Sequence, residues 1–459
     1  MIPIKIKDLI KIVDGTIVCQ GDKEEIFNIC IDSRLVSEGS LFIPLRGEKF
    51  DGHDFIENAF NAGAVAVLTE RDDVVDVKNT LIRVRNNLNA IHKITKYYRS
   101  IVKIPIIALT GSSGKTTTKD IVYSILKQKY NVLKTKGNQN NHLGVPLTMF
   151  RIGEYHDIAV IEMGMNHLGE ISKLVNIVFP DISVITNIGV THIENLKSKD
   201  NIFKAKKEIF ETLNENKIAL VNGNDEYLKN IDNTKFKLIK YGIEGEKLDI
   251  VARNIKSSLS GISFEIYADG VMESYNFKLP GRHNVFNCLV GIYIGKLFKL
   301  NKEFIQKGLD EYIPSENRMD IRDIKNMKVI NDSYNANPDS IKAALNVLVD
   351  YKMKNGRAIA ILGDMLEMGN KANEFHREIG EYLSQLKEID VLLAVGKHAK
   401  YYLEGAVQNK MEKDRCIHFN NTNEASEYLS KIVKDNDSIL IKGSRGMKME
   451  EILYTLERS

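Results

Sequence analysis

Ile104-Pro105-Ile106-Ile107-Ala108-Leu109, followed at once by Thr110-Gly111-Ser112-Ser113-Gly114-Lys115-Thr116-Thr117-Thr118, reads as a buried strand that turns through two glycines into a helix opening with Lys-Thr. A turn of this kind suits phosphate. Glycines let backbone N–H groups converge on phosphate oxygens, and the helix N-terminus adds positive potential. Lys115 reaches the terminal phosphates and the Thr116 hydroxyl is placed to ligate Mg²⁺. Gly111, Ser112, Ser113, Gly114, Lys115, Thr116 and Thr117 are therefore the candidate nucleotide-binding residues. Only Ser112 and Ser113 stand between the glycines, two residues where the usual phosphate loop has four. Beyond the loop, Ile121, Val122, Ile125 and Leu126 fall on one helical face, the spacing of an amphipathic helix packed on a sheet. That context favours a nucleoside triphosphate site over a Gly/Ser turn that merely caps a helix.

The 459 residues are too many for one core and suggest about three domains. With 43% hydrophobic residues, 27% charged residues and a formal charge of +3, nothing points to nucleic acid or an anionic membrane as the main partner. Small-molecule ligands are expected instead. Cys19, Cys30, Cys288 and Cys416 are scattered without CxxC pairing, which suggests reduced, buried thiols rather than a disulfide framework or zinc site. The N-terminal stretch Met1 to Lys7 lacks a signal-peptide core, and no run approaches the roughly 18 apolar residues of a membrane span. A soluble, cytoplasmic protein, without membrane insertion and monomeric, is the expectation.

Working outward from the phosphate loop gives an α/β chain in three domains. Residues 1–103 read as a small mixed α/β unit, with a strand at Gly39 to Leu45 and a short helix at Phe55 to Gly63. Residues 104–314 alternate apolar strands and helices, at Ile158 to Ile161, Ile171 to Val178 and Ile182 to Ile185, the order of a mostly parallel sheet. The period-two stretch Ile262 to Ile266, an Asp269-Gly270 turn and a second strand read as an antiparallel edge hairpin. Residues 315–459 repeat the α/β pattern, with strands at Lys328 to Ile330, Ala358 to Leu362, Val391 to Val395 and Ser438 to Ile441. This is a Rossmann-like, doubly wound pattern, so ligands belong at the carboxyl ends of its strands.

Within the middle unit, Glu162 ends an apolar strand and is followed by Met163-Gly164, which puts a carboxylate at the sheet edge where the phosphate loop emerges. Mg²⁺ prefers oxygen ligands and retains waters, so one carboxylate, one hydroxyl and nucleotide phosphates suffice; a solvated strand-end glutamate is the plainer reading. His192 closes Thr186-Asn187-Ile188-Gly189-Val190-Thr191-His192 and could touch a second metal ion or a substrate phosphate, although a lone histidine after a strand is usually structural. Lys204, Lys206, Lys207 and Glu208 lie on a helix, and the default for such a run is a solvated face. Gly137-Asn138-Gln139-Asn140-Asn141 is rich in amides that both donate and accept, which suits a peptide or a sugar as well as a plain Asn-rich turn.

Taken together these segments resemble the Mur ligases, ATP-dependent amide-forming enzymes that build the peptide of bacterial cell-wall precursors. The two-residue spacing within Gly111 to Lys115 is that family's form of the loop, shared with folylpolyglutamate synthases. The resemblance implies catalytic roles for Lys115, Glu162, His192 and Lys206, with Thr116, Glu162, His192 and Lys206 at the magnesium site and Lys206 carbamylated to supply an extra carboxylate. Family members commonly carry glycine where this chain has Lys207. Gly281-Arg282-His283-Asn284-Val285-Phe286-Asn287 is similar to the adenine-side motif, with Asn284 on the base; Arg318 matches an arginine on the phosphates and Asp332 a carboxylate on the ribose.

Asn331 to Pro338, Leu362 to Gly369 and Lys442-Gly443-Ser444-Arg445 resemble the branch that adds D-alanyl-D-alanine, and the Asp-Asn-Pro-Arg string of the branch adding the third amino acid is absent. Asp32-Ser33-Arg34 and the segment Leu45 to His53 resemble uridine-diphosphate-binding stretches. The implied substrate-binding residues are Ser33, Arg34, Gly47, Asn138, Asn140, Asn141, Tyr334, Asn335, Lys442, Ser444 and Arg445. The implied reaction uses ATP and Mg²⁺ to convert the carboxylate of UDP-N-acetylmuramoyl tripeptide into an acyl phosphate, which the amine of D-alanyl-D-alanine attacks. A folylpolyglutamate synthase and a non-catalytic ATP-binding switch are the rival readings. The third residue of the tripeptide, lysine or diaminopimelate, is not specified by these motifs.

Overall fold

Four apolar residues in succession and the threonine that follows them, Ile106–Thr110, form a strand that is buried on both faces. Ile107 and Leu109 face one core and Ile106 and Ala108 the other, so the strand reads as a continuous apolar run instead of alternating. The computed structural model describes residues 1–73, 79–232, 235–245, 247–258, 261–268 and 270–458. Among these, the strands form sheets of two, five, nine and six members.

In the nine-stranded sheet, Ile106–Thr110 lies between Ile158–Glu162 and Ile182–Ile185, parallel to both. The chain first builds toward Val132–Lys134 on one side, then crosses to Ile182–Ile185 and Ile218–Asn222 on the other. The carboxyl end of Ile106–Thr110 is thus a topological switch point, where neighbouring connections diverge and open a crevice. Thr110, Glu162 and Ile185 all end at that crevice. At the far edge Gly261–Ala268 and Val271–Phe277 pair antiparallel, as the period-two pattern requires; Asp269 of the expected turn lies outside the described residues.

The phosphate-loop helix Lys115–Leu126 packs on the helix Arg282–Leu297. Gly291 permits this approach, because a Cβ there would stand 2.6 Å from Ile121 Cγ2. Thr118 Oγ1 donates to Asn287 Oδ1 at 3.0 Å, tying the two helix starts together.

The five-stranded sheet runs from Thr16–Cys19 through Thr80–Arg83, Ala64–Thr69 and Ser40–Phe42 to Asn28–Cys30. The expected helix there is shorter, Ile56–Asn61, preceded by a 3₁₀ turn at Gly52–Phe55. Cys30, Cys288 and Cys416 are buried, but Cys19, expected to be so, is partly exposed on its edge strand.

The six-stranded sheet has an antiparallel edge, Asp320–Ile324, that the apolar pattern did not reveal because none of its first four residues is buried. Its last strand in sequence, Ser438–Lys442, inserts between Met327–Asp332 and Ala358–Gly363. Register then sets Lys442 directly beside Asp332. Alternate residues of Ala358–Gly363 enter different cores, so both faces are covered, as a doubly wound sheet requires.

Candidate active site

The loop at the switch point is shaped by contacts a side chain would break. Gly114 has φ +76° and caps the helix Lys115–Leu126, and at Gly111 a Cβ would stand 1.8 Å from Thr186 Oγ1. The Lys115 ammonium donates to Gly111 O at 2.7 Å, folding over the loop. Burial lowers its pKa from the ordinary lysine value, with Glu162 opposing and Arg318 reinforcing the shift.

Beneath the loop, Thr116 Oγ1 donates to Glu162 Oε2 at 3.0 Å and Asn140 Nδ2 to Glu162 Oε1 at 2.9 Å. Lys119 Nζ lies 3.7 Å from the same carboxylate, and all but Asn140 are buried. Among the described residues no three His, Cys, Asp or Glu side chains converge as a protein metal cage. The oxygen pair Thr116 and Glu162 fits Mg²⁺ all the same, since that ion takes one or two protein oxygens and completes its shell with phosphate and water.

His192 sits at φ +59°, a left-handed conformation that costs a non-glycine residue about 1 kcal/mol. Its Nδ1 lies 2.8 Å from Glu367 Oε2. It holds the Glu367 carboxyl below its usual range. Glu367 comes from the third-domain segment Leu362 to Gly369, so this contact joins two domains.

The lysine run divides. Lys204 and Lys207 are exposed, as a solvated face requires, but Lys206 is 2% exposed, which corrects the default reading for that residue. Burial, reinforced by the charge of Lys115, pushes its amine well below the ordinary lysine range. Glu208 accepts from Gly169 N at 2.7 Å and Ser172 N at 3.0 Å, a structural role at the start of the helix Glu170–Val178.

Above the loop a cleft of about 310 Å³ opens between the middle and third domains. Asn284, Asn287 and His283 line one wall; Arg318, Asp332, Tyr334, Asn335 and Lys442 line the other. Burial keeps His283 neutral, its pKa held down to about 4. The Asn284 side chain donates to Pro280 O at 2.7 Å and accepts from Asn287 at 3.2 Å, leaving one N–H and one lone pair for a base. Arg318 stacks 3.9 Å above the Tyr334 ring, between Asn317 and Met319, both at positive φ. The ion pair of Lys442 with Asp332 spends the Lys442 ammonium within this cleft, with Asn335 O accepting at 3.0 Å.

Of the remaining sequence candidates, Arg445 reaches the cleft wall, 5.7 Å over the Tyr334 ring. Ser444 Oγ accepts from Leu366 N at 2.8 Å and pins the Glu367 loop, while Arg445 is exposed and paired with Glu450. Asn141 Oδ1 accepts from Leu143 N at 3.1 Å and Gly144 N at 2.9 Å at the entrance to the short helix Gly144–Phe150, and Asn138 is exposed. Ser33, Arg34 and Gly47 are outside the cleft, on the first domain, with Arg34 paired to Asp32 at 2.6 Å. Sequence reasoning missed Lys119, Asn187 and Glu367, although two of them stand in the quoted segments Thr186 to His192 and Leu362 to Gly369.

Three family models match the chain: the Mur ligase family catalytic domain over residues 25–99, the Mur ligase middle domain over 109–295, and the Mur ligase glutamate ligase domain over 317–445. A Bacillus subtilis relative named UDP-N-acetylmuramoyl-tripeptide–D-alanyl-D-alanine ligase is 37% identical, over 100% of this chain and 99% of its own length. This chain belongs to the Mur ligase family. A crystal structure of MurF from Acinetobacter baumannii is similar, with TM-score 0.89, 30% identity, and coverage of 100% of this chain and 99% of that one. The Thermotoga maritima MurF ligase in complex with ADP gives TM-score 0.83 at 26% identity, covering 94% and 97%. The three-domain Mur ligase architecture accounts for the three larger sheets, each supplied by one part of the chain.

Proposed function

We propose that this chain is an ATP-dependent, ADP-forming ligase that joins D-alanyl-D-alanine to UDP-N-acetylmuramoyl tripeptide in peptidoglycan precursor synthesis. The observation that carries this reading is full-length likeness to relatives of that name, in a chain that keeps Thr116 in contact with Glu162 under an abbreviated phosphate loop. In this reading residues 1–103 hold the uridine-diphosphate end through Ser33, Arg34 and Gly47; residues 104–314 hold ATP; and residues 315–459 receive the dipeptide through Ser444 and Arg445. The protein works in the cytoplasm as a monomer on small-molecule substrates.

A carboxylate does not condense with an amine in neutral water, because its oxygen is a poor leaving group. Transfer of the γ-phosphoryl group gives an acyl phosphate, the amine attacks, and phosphate leaves. The first step brings two anions together, at a cost of roughly 4 kcal/mol per pair of unit charges at 4 Å in an effective dielectric near 20. Lys115 and Arg318 offset that repulsion and stabilise charge on the moving phosphoryl group. Mg²⁺ held by Thr116 and Glu162, with His192 and carbamylated Lys206 in support, would supply further charge neutralisation. Asn140 orients Glu162 through its amide. Asn284 faces the base, Asp332 the ribose, and Lys442 holds Asp332 in place. The sequence reading gave Lys442 to the dipeptide; its ion pair favours this positioning role instead.

The test is phosphate release with Mg²⁺-ATP, supplying UDP-N-acetylmuramoyl tripeptide and D-alanyl-D-alanine separately and together. Release that requires both supports the ligase; release with folate and glutamate, or with no acceptor pair, overturns it.

A further inference from the structure

The shortened loop raises a physical difficulty: with two residues between its glycines, it has little backbone of its own to hold its shape. The neighbouring strand end supplies what is missing. Asn187, two residues beyond the strand Ile182–Ile185, turns its side-chain amide onto the loop. Its Oδ1 accepts from Ser112 N at 3.0 Å and from Ser113 N at 2.8 Å, and its Nδ2 donates to Ser113 Oγ at 2.5 Å. The Asn187 backbone carbonyl also accepts from Ser112 N at 3.1 Å. On either side Thr186 Oγ1 donates to Ser113 O at 2.6 Å, and Ser112 Oγ accepts from Gly189 N at 2.8 Å.

We infer that Asn187 is the positioning residue of the phosphate loop, a neutral clamp that fixes the Ser112–Ser113 turn so that Lys115 and the helix N-terminus face the phosphates. This rests on the nucleotide reading given above. The Ser112 and Ser113 amides are engaged by Asn187, so the donors left for phosphate are the first N–H groups of the helix Lys115–Leu126 and the Lys115 ammonium. A carboxamide suits the task. It accepts from two amides and donates to a hydroxyl without bringing negative charge to a polyphosphate site. The alternative is that Asn187 merely stands in for a phosphate and is expelled when nucleotide binds, and it makes the opposite forecast.

The experiment uses the full chain with Asn187→Ala and, as a polar second variant, Asn187→Ser. Mg²⁺-ADP affinity is measured by calorimetry, and amide exchange across residues 111–118 is followed without nucleotide. The clamp gives about ten-fold weaker binding, equivalent to about 1.4 kcal/mol. It also gives faster loop exchange, and a KM for ATP that rises while those for the tripeptide and dipeptide substrates stay put. Unchanged or tighter Mg²⁺-ADP binding in a folded variant overturns the clamp and leaves the ligase reading standing. Failure of the unaltered chain to bind Mg²⁺-ADP overturns both.

Discussion

Lys206 in the middle domain and Lys442 in the third are both 2% exposed, yet their surroundings send them in opposite chemical directions. Lys442 meets the Asp332 carboxylate across adjacent strands and is further held by Asn335 O. Among the described residues Lys206 makes no ion pair, and burial with the nearby charge of Lys115 lowers its pKa far from the ordinary value. A buried cation persists only with a partner; without one it sheds its proton. Lys442 is therefore a fixed strut beside the Asp332 carboxylate, whereas burial and the charge of Lys115 push Lys206 toward its uncharged amine, the form that attacks carbon dioxide when a carbamate is made.

Each half of that contrast can be broken separately. The largest effect is expected from Lys115→Ala, which removes both the ammonium folded over the loop and the charge that helps lower the Lys206 pKa. Turnover should fall by about three orders of magnitude with the far-ultraviolet spectrum unchanged, read by steady-state phosphate release. Lys442→Met leaves Asp332 with an unpaired buried charge and should cost about 3 to 5 kcal/mol in denaturant unfolding. Adding Asp332→Asn should recover most of that stability but not the KM for ATP. If the double variant stays as unstable as the single one, the strut assignment is wrong.

A smaller effect concerns pH in the third domain. His376 is fully buried, accepts from Met365 N at 3.0 Å, and has its pKa held down to about 4, chiefly by burial. Because the folded pKa lies below the unfolded value near 6.5, the unfolded chain binds the proton first, and stability falls as pH drops from about 6.5 to about 4. The loss is at most about 3 kcal/mol. Melting temperatures across that window should decline less steeply for His376→Asn. The smallest effect sharpens the Lys206 half. Stripping carbon dioxide should reduce activity about ten-fold, bicarbonate should restore it, and Lys206→Ala should be low and indifferent to both. An enzyme insensitive to bicarbonate would retire the carbamate.

Much of the middle domain was legible because its signals are local. The phosphate loop is one continuous stretch, and Glu162 reveals itself by ending an apolar strand beside it. Lys206 was not legible from spacing, since three neighbouring lysines look alike in sequence and only packing decides which turns inward. The edge strand Asp320–Ile324 escaped notice because its residues are mostly half-exposed and charged. Lys442 looked like part of a substrate loop with Ser444 and Arg445, until strand insertion put it opposite Asp332.

Sequence alone determined the α/β class, the phosphate loop and the carboxylate beneath it, for hydrophobic periodicity and turn chemistry act over a few neighbouring residues. Tertiary structure decided which polar groups meet across strands and domains: Asn187 on Ser112 and Ser113, Glu367 on His192, Lys442 on Asp332. Those meetings depend on strand order, register and domain approach, which arise from burying whole sheet faces and leave no short-range trace in the chain.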